Sequence, residues 1–407
     1  MKPLGPIPAG YEAADGELAV AGRKLSAVEA HTGTPVFVYS RSLIERQVAD
    51  LRAAMPARLH LHYAIKANPY RPVLEFMRGL VDGFDVASAG ELAAALAAGQ
   101  QGSRVSFAGP GKRTAELHAA ILAGVTINLE SAAEADRALA VGDALGIAPR
   151  LAIRVNPDFE LRGSGMKMGG GAKPFGVDVE RVPALAARIL ASGAQWRGLH
   201  VFAGSQALDA EAVAEAQANT LDLAARLARE SGAPLPHLNM GGGFGIPYFY
   251  GDRPLDIVLV GERLAECFAA LPPELADTEF AIELGRYLVG ESGVYLTRIV
   301  ERKESHGQVF LVTDGGLHHQ LAASGNFGTV VRRNYPAAIA GRFGAEPEEE
   351  ASIVGCLCTP LDRLADQALL PRAEAGDLVA VFCAGAYGAT ASPSAFLGHG
   401  PASEVLI

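Results

Sequence analysis

Lys66 is the first residue of this chain whose setting suggests covalent chemistry. It lies in the stretch His62-Tyr63-Ala64-Ile65-Lys66-Ala67-Asn68, where an apolar run carries the lysine to a strand end and Asn68-Pro69 stops the strand. A lysine so placed has its stem packed and its amine aimed into the space above the sheet. Partial desolvation would lower its pKa and make it an amine nucleophile for a carbonyl. On its own it could equally be a lysine snorkelling to water.

Other polar residues close later apolar runs: Asp85 and Ser88, Glu130 and Ser131, Asn156, Gly204-Ser205, Gly241-Gly242-Gly243, and Glu283 with Arg286. Each alone reads as a cap or a turn, and Ser131 with Glu134 has capping-box spacing. Three glycines after a strand let backbone N–H groups close on an anion, most naturally a phosphate. With a lysine amine, a carboxylate and an arginine at equivalent positions, they suggest pyridoxal phosphate. Lys66 would form the Schiff base, the glycines would hold the phosphate, and Glu283 would keep the pyridine nitrogen protonated so the ring accepts electrons.

The elements that must bring these residues together follow a regular alternation. Short apolar runs at 61–65, 83–87, 105–108, 126–129, 151–155, 199–203, 238–240 and 280–284 are separated mostly by stretches of helical spacing, such as 91–98, 132–145, 182–191 and 210–230. Eight strands with intervening helices predict an α/β fold, a (β/α)8 TIM barrel, whose chemistry sits at the C-terminal strand ends. A doubly wound open sheet is the alternative. After residue 284 the pattern turns β-rich, at 294–300, 309–313, 352–354 and 378–382, with the acidic run 346–350 as a solvated loop. The expected organisation is a cofactor-binding barrel over 36–288 and a second, all-β domain, sandwich- or barrel-like, formed by 1–35 plus 289–407.

Composition narrows the function. A chain of 407 residues exceeds one comfortable core, and 49% hydrophobic with 20% charged residues is ordinary for a globular protein. The net charge of −10 argues against nucleic acid and against an anionic membrane surface. No apolar run reaches spanning length and the N-terminus lacks a signal-peptide pattern, so a cytoplasmic protein is expected. The four cysteines do not suggest a disulfide scaffold. Cys356-x-Cys358 is too short a gap for a zinc knuckle and no second pair follows, so no metal site is expected.

The chain resembles the barrel-type pyridoxal-phosphate-dependent amino-acid decarboxylases, the diaminopimelate, ornithine and arginine decarboxylase family. The resemblance runs through Tyr63-Ala64-Ile65-Lys66-Ala67-Asn68, Phe84-Asp85-Val86-Ala87-Ser88, the Gly241-Gly242-Gly243 run, Glu283-Leu284-Gly285-Arg286, Gly355-Cys356-Leu357-Cys358 with Asp362, and Cys383-Ala384-Gly385-Ala386-Tyr387-Gly388. It closes with Ala402-Ser403-Glu404-Val405-Leu406. It implies that Lys66, Cys358 and Glu283 are catalytic. Asp85, Phe202, Ser205, Gly241, Gly242, Gly243, Glu283, Arg286 and Tyr387 are implied to bind cofactor. Cys358 and Tyr387 are implied to reach into a second subunit's site, making a homodimer with shared sites, and Cys358 to protonate the carbanion left by CO2.

Two departures bear on substrate. Where the family commonly has His-Ile-Gly-Ser, this chain has Phe202-Ala203-Gly204-Ser205, so Phe202 would stack on the cofactor, with His200 on the same strand face as a partial substitute. The diamine-type enzymes place Asp or Glu directly after the cysteine, where this chain has Thr359-Pro360. A buried substrate ammonium would then lack its counter-charge, at a cost of several kcal/mol. The stretch Asp314-Gly315-Gly316-Leu317-His318-His319 with Ala322-Ala323-Ser324-Gly325-Asn326-Phe327-Gly328 is similar to a subgroup that includes the butirosin-pathway carrier-protein decarboxylase and exosortase-associated decarboxylases. Arg332 and Arg333 lie where a substrate carboxylate or carrier phosphopantetheine could be met, or form a solvated basic pair. The expected activity is removal of the α-carboxylate from an amino acid whose distal group is modified or carrier-tethered. Diaminopimelate decarboxylase is the alternative. A racemase lacks the cysteine motif, and a silent cofactor-binding regulatory homologue would be expected to have lost the lysine, cysteine or glycines that are present here.

Overall fold

The computed structural model describes residues 1–325 and 332–407. The chain divides into two compact units: Val48–Gly245 with Pro254–Gly285, and Met1–Gln47 with Ile246–Arg253 and Arg286–Ile407.

The first unit is the closed barrel. Its strands are β1 (Leu59–Ala64), β2 (Gly83–Val86), β3 (Val105–Phe107), β4 (Thr126–Leu129), β5 (Arg150–Asn156), β6 (Gln195–Val201), β7 (His237–Asn239) and β8 (Glu279–Leu284). Each pairs in parallel with the next, and β8 returns to β1 with Glu283 opposite His62, which closes the sheet and excludes the open alternative. One set of strand side chains, including Phe84, Phe107, Ile127, Ile153 and Phe280, is fully buried. Burying each such side chain contributes about 1.5–3 kcal/mol.

Between these apolar positions stand buried polar ones: Asp85, Ser106, Asn128, Arg154, His200, Asn239 and Glu283. Buried polar groups persist where they find bonding partners: Asp85, Ser106 and Asn128 bond one another, as do His200, Glu283 and Asn239, and Arg154 bonds Glu130. Helix starts fix the strand ends. Ser88 accepts from the Glu91 amide, Ser131 from the Glu134 amide, and Glu91 and Glu134 reach back to the amides of Ala87 and Glu130. Ser88 and Ser131 are therefore N-caps.

The second unit is built on an eight-stranded sheet. Its long strand β9 (Gly293–Ser305) is followed by β10 (Gln308–Thr313), β11 (Ala337–Ile339), β12 (Glu349–Val354), β13 (Arg363–Leu370), β14 (Leu378–Val381) and β15 (Ser403–Leu406). The order is β11-β14-β9-β10-β12-β13. The strand Val36–Tyr39, placed with the barrel by its position in the sequence, instead pairs with β9 and β15 in this sheet. Its four residues are all buried, so its apolar run reads the same in either sheet. The N-terminal segment joins this unit by packing rather than by extending the sheet. Tyr11–Ala14, Glu17–Val20 and Arg23–Lys24 pair among themselves, and Leu18, Val20 and Leu25 share a core with Val36, Val38, Leu296 and Phe382.

The acidic run is not wholly a loop: Glu349 and Glu350 open β12, and Glu349 takes a two-pronged bond from Arg302 at 2.7 Å and 2.7 Å. The motif residues Asn326, Phe327 and Gly328 lie outside the described residues. Among the described residues no helix is long and apolar enough to cross a membrane.

Candidate active site

A cavity of about 220 Å³ opens at the C-terminal ends of the barrel strands, lined by Lys66, Asp85, Arg154, His200, Phe202 and Glu283 among others. A cavity of similar size at the strand starts is lined by His60, His237, Arg104 and Arg150 and has no lysine amine. In this fold chemistry belongs to the C-terminal end.

Lys66 sits in a single turn, Ile65–Ala67, directly after β1. The turn is fixed from both sides. Tyr63 Oη donates to the Asn68 carbonyl at 2.9 Å, and Asn68 Oδ1 accepts from the Tyr70 amide at 3.0 Å. A Cβ on Gly285 would come within 2.8 Å of Ala67 Cβ, so the strand end carrying Glu283 presses on the lysine's turn only because residue 285 is glycine. Lys66 itself is exposed, so the protein does not supply the desolvation expected from its strand-end position. Its Nζ stands 5.7 Å from the centre of the Phe202 ring.

Glu283 is the buried carboxylate of this cavity. His200 Nε2 lies 3.0 Å from its Oε2, and Asn239 Nδ2 donates to the same oxygen at 3.1 Å. Burial alone would raise its pKa, but His200, with Lys66 and Arg154 further away, holds the carboxyl below its ordinary range. His200, named as a partial substitute for a stacking ring, is bonded through Nε2 to this carboxylate. Phe202 is the aromatic ring facing Lys66.

Asp85 ends β2 and accepts from Ser106 Oγ, which takes a bond from Asn128 Nδ2 at 3.2 Å. His62 Nδ1 stands 3.5 Å from Asp85 Oδ2, an ion-pair distance without hydrogen-bond alignment. Burial pulls the His62 pKa down, but Asp85 beside it outweighs burial and leaves it raised.

The glycine run is dictated by close approach. Cβ atoms on Gly241, Gly242 and Gly243 would meet Val201 O at 2.5 Å, Glu283 O at 2.0 Å and Gly204 O at 2.8 Å, and Gly241 and Gly243 have φ of 69° and 92°. The Gly241 amide is engaged by Asn239 Oδ1 at 2.9 Å, which corrects its expected place among the phosphate donors. Ser205, half-buried, lies in the bridge Gly204–Ser205 against Met166–Lys167.

Four further candidates and Tyr387 and Arg286 belong to the sheet unit. Arg286 Nη1 donates to Tyr248 Oη at 2.8 Å, its guanidinium stands 4.8 Å from the Tyr387 ring centre, and its buried Nε has no partner. Cys358 is exposed on the turn after β12. That turn is tied down by Asp362, whose carboxylate accepts from the amides of Leu317 at 2.6 Å and Leu357 at 2.9 Å. Thr359 is held within the turn by its amide on Leu357 O at 2.8 Å. Arg332 and Arg333 separate: Arg332 donates to Leu361 O at 3.3 Å and Arg333 lies 3.8 Å over the Phe249 ring.

Several cavity residues were not singled out from sequence. Arg154 pairs with Glu130 at 2.9 Å, and Glu130 also accepts from the Gly109 and Gly176 amides. Burial works to raise Glu130, yet Arg154 and the Gly176 amide leave it lowered and ionised. Met168 and Phe175 line the cavity from the loop after β5, which Asn156 Nδ2 anchors on Gly171 O at 2.9 Å. The second glycine run, Gly169-Gly170-Gly171, was the available signal for that loop.

The geometry can accept pyridoxal phosphate. The cavity offers an exposed primary amine, an ionised carboxylate at a strand end and an aromatic face.

Residues 41–290 match the family model for the pyridoxal-dependent decarboxylase, pyridoxal binding domain. L-glutamyl-[BtrI acyl-carrier protein] decarboxylase of Niallia circulans is 35% identical over 94% of this chain and 91% of its own. Diaminopimelate decarboxylase of Archaeoglobus fulgidus is 33% identical over 98% and 93%. The solved structure of a Helicobacter pylori diaminopimelate decarboxylase variant complexed with L-lysine superposes with TM-score 0.83 at 25% identity, covering 94% of each chain. The expected fold, cofactor and reaction class are borne out, and pyridoxal phosphate is the cofactor. The chain belongs to the pyridoxal-dependent decarboxylases and is an amino-acid carboxy-lyase.

Proposed function

We propose that this enzyme removes the α-carboxylate of an amino acid whose distal end is capped, with a glutamyl group on a carrier protein as the leading substrate. The observation that carries this reading is Thr359 directly after Cys358, where a diamine substrate would need a carboxylate. The 35% identity to a decarboxylase named for a carrier-bound glutamyl group supports it.

Bound pyridoxal phosphate supplies a sink for the electron pair left when CO2 departs. Lys66 is the attachment amine, and Phe202 covers one face of the ring. Glu283, kept ionised by His200 and Asn239, holds the proton on the ring nitrogen. Asp85 borders the same cavity. Gly242, Gly243, Ser205 and Arg286 take the phosphate, with the Arg286 Nε free to donate. The Cys358 thiol delivers a proton to the substrate α-carbon. Cys358 acts in the site of a second copy, which makes the enzyme a homodimer. Its exposed position on a short turn suits Cys358 to that role. Tyr387, expected there as well, instead stands 4.8 Å from the Arg286 guanidinium of its own chain, beside the group that takes the phosphate.

The reading is tested at Thr359. Thr359→Asp restores a counter-charge for a distal ammonium, so kcat/KM for free ornithine, lysine and meso-diaminopimelate should rise by about tenfold or more. Unchanged values for all three amino acids would remove Thr359 from substrate selection.

A further inference from the structure

The sheet unit contains a cluster that the decarboxylation chemistry does not use. His318, Cys356 and His399 bring one ligand atom each to within 4.8 Å of one another. The convergence is a product of the topology. Strands β10 and β12 are parallel neighbours with Val312 opposite Val354, so the loops leaving their ends, carrying His318 and Cys356, emerge side by side. His399 arrives on the segment that leads into β15. No sequence spacing announces this, because the three residues come from three separate segments. The expectation of no metal rested on the cysteine pair alone.

His318 gives the cluster its meaning. It is 0% exposed, and neither ring nitrogen has a hydrogen-bond partner. A buried imidazole with both nitrogens unsatisfied is costly and calls for a ligand. Its neighbour His319 shows the ordinary solution: Nδ1 meets Tyr295 Oη at 2.9 Å and Nε2 meets Gly400 O at 3.0 Å. Cys356 Sγ lies 3.9 Å from His399 Nε2, 4.0 Å from its Nδ1 and 3.6 Å from the Asp314 carbonyl. The His318 and His399 rings are 5.2 Å apart.

We propose that His318, Cys356 and His399 bind one zinc ion, with the fourth position left to water. One thiolate and two imidazoles suit a tetrahedral d10 ion, whose donors stand at about 2.3 Å for sulfur and about 2.0–2.1 Å for nitrogen. Those bond lengths need donor-to-donor edges of roughly 3.5 Å. The exposed His399 and the half-buried Cys356 can close gaps of at most 4.8 Å by small side-chain movements around the fixed His318. As the sulfur–zinc bond forms, the thiol proton leaves to solvent, and no electrons are transferred. The ion would clip together the loops after β10 and β12 and the approach to β15. Cys358 lies two residues beyond one ligand, so the clip fixes the turn that carries it. The proposal stands independently of the substrate reading.

The test uses the full-length holoenzyme, dialysed against a chelator and titrated with Co2+ and then Zn2+. The expected result is one equivalent per chain, with visible d–d bands of a tetrahedral thiolate–imidazole site and displacement by Zn2+. Cys356→Ser and His399→Gln should each bind at least about 100-fold more weakly, above what loss of a merely supporting residue costs. Cys267→Ser, which alters a thiol in the barrel unit, should bind as wild type. Alkylation of Cys358 should change rate on metal loading in wild type and not in His399→Gln. Because His399 is exposed, that variant keeps its fold and decides the matter should Cys356→Ser fail to fold. Absence of stoichiometric binding, or binding unchanged in His399→Gln, overturns the proposal.

Discussion

Lys66→Ala is expected to lower turnover by about 10³-fold or more, the upper part of the range for removing a positioned catalytic group. Wild-type enzyme treated with borohydride should carry the cofactor on the peptide containing Lys66, and the variant should not. The fold should survive. Lys66 is exposed and makes no buried ion pair, and its turn is held by Tyr63 and Asn68 rather than by its own side chain. Melting temperature measured beside turnover separates the two effects. A variant that keeps wild-type turnover would remove Lys66 from the chemistry.

Glu283→Gln is expected to cost about 10²–10³-fold in kcat, the scale of losing one preorganised electrostatic contact at the reacting group. The shape of the site should persist, because the glutamine carbonyl can still accept from His200 and Asn239. What goes is the negative charge that holds a proton on the ring nitrogen. Glu283→Ala differs in kind: it leaves two buried donors unpaired, each at about 1–3 kcal/mol, and should lower the melting temperature clearly. The pH dependence has a definite sign. The folded pKa of Glu283 lies below its ordinary 4.5, so its pairing contributes stability above that value and loses it as pH falls through the folded pKa. The stability gap between wild type and Glu283→Gln should be full at neutral pH and shrink in acid. A gap that widened in acid, or wild-type kcat in Glu283→Gln, would contradict the role.

The barrel was legible because its strands are short apolar runs between helical stretches, and all eight runs became strands. The rim was legible because polar residues are out of place at apolar strand ends. Val36–Tyr39 was misplaced because period and hydrophobicity identify a strand but not its partner, and here the partners are β9 and β15, hundreds of residues later. Arg154 escaped notice because an arginine inside an apolar strand has no local signature; its meaning is Glu130, just past the end of the neighbouring strand. His200 was seen, but its bond to Glu283 was not. Sequence places it on a strand face, whereas only the closed barrel brings Glu283 to its Nε2. The His318, Cys356 and His399 cluster was invisible for the same reason, since it depends on which loops emerge together.

The central claim is that the site selects an amino acid with a capped distal end. CO2 release should therefore be measured on a glutamyl group loaded on an acyl-carrier protein, beside free meso-diaminopimelate, ornithine, lysine and glutamate. The tethered group should be turned over with kcat/KM at least about 100-fold above free meso-diaminopimelate, ornithine and lysine, the scale set by several kcal/mol for an uncompensated buried ammonium. Fast turnover of free diaminopimelate, with the tethered group inert, would mean that another residue supplies the counter-charge and would contradict the claim.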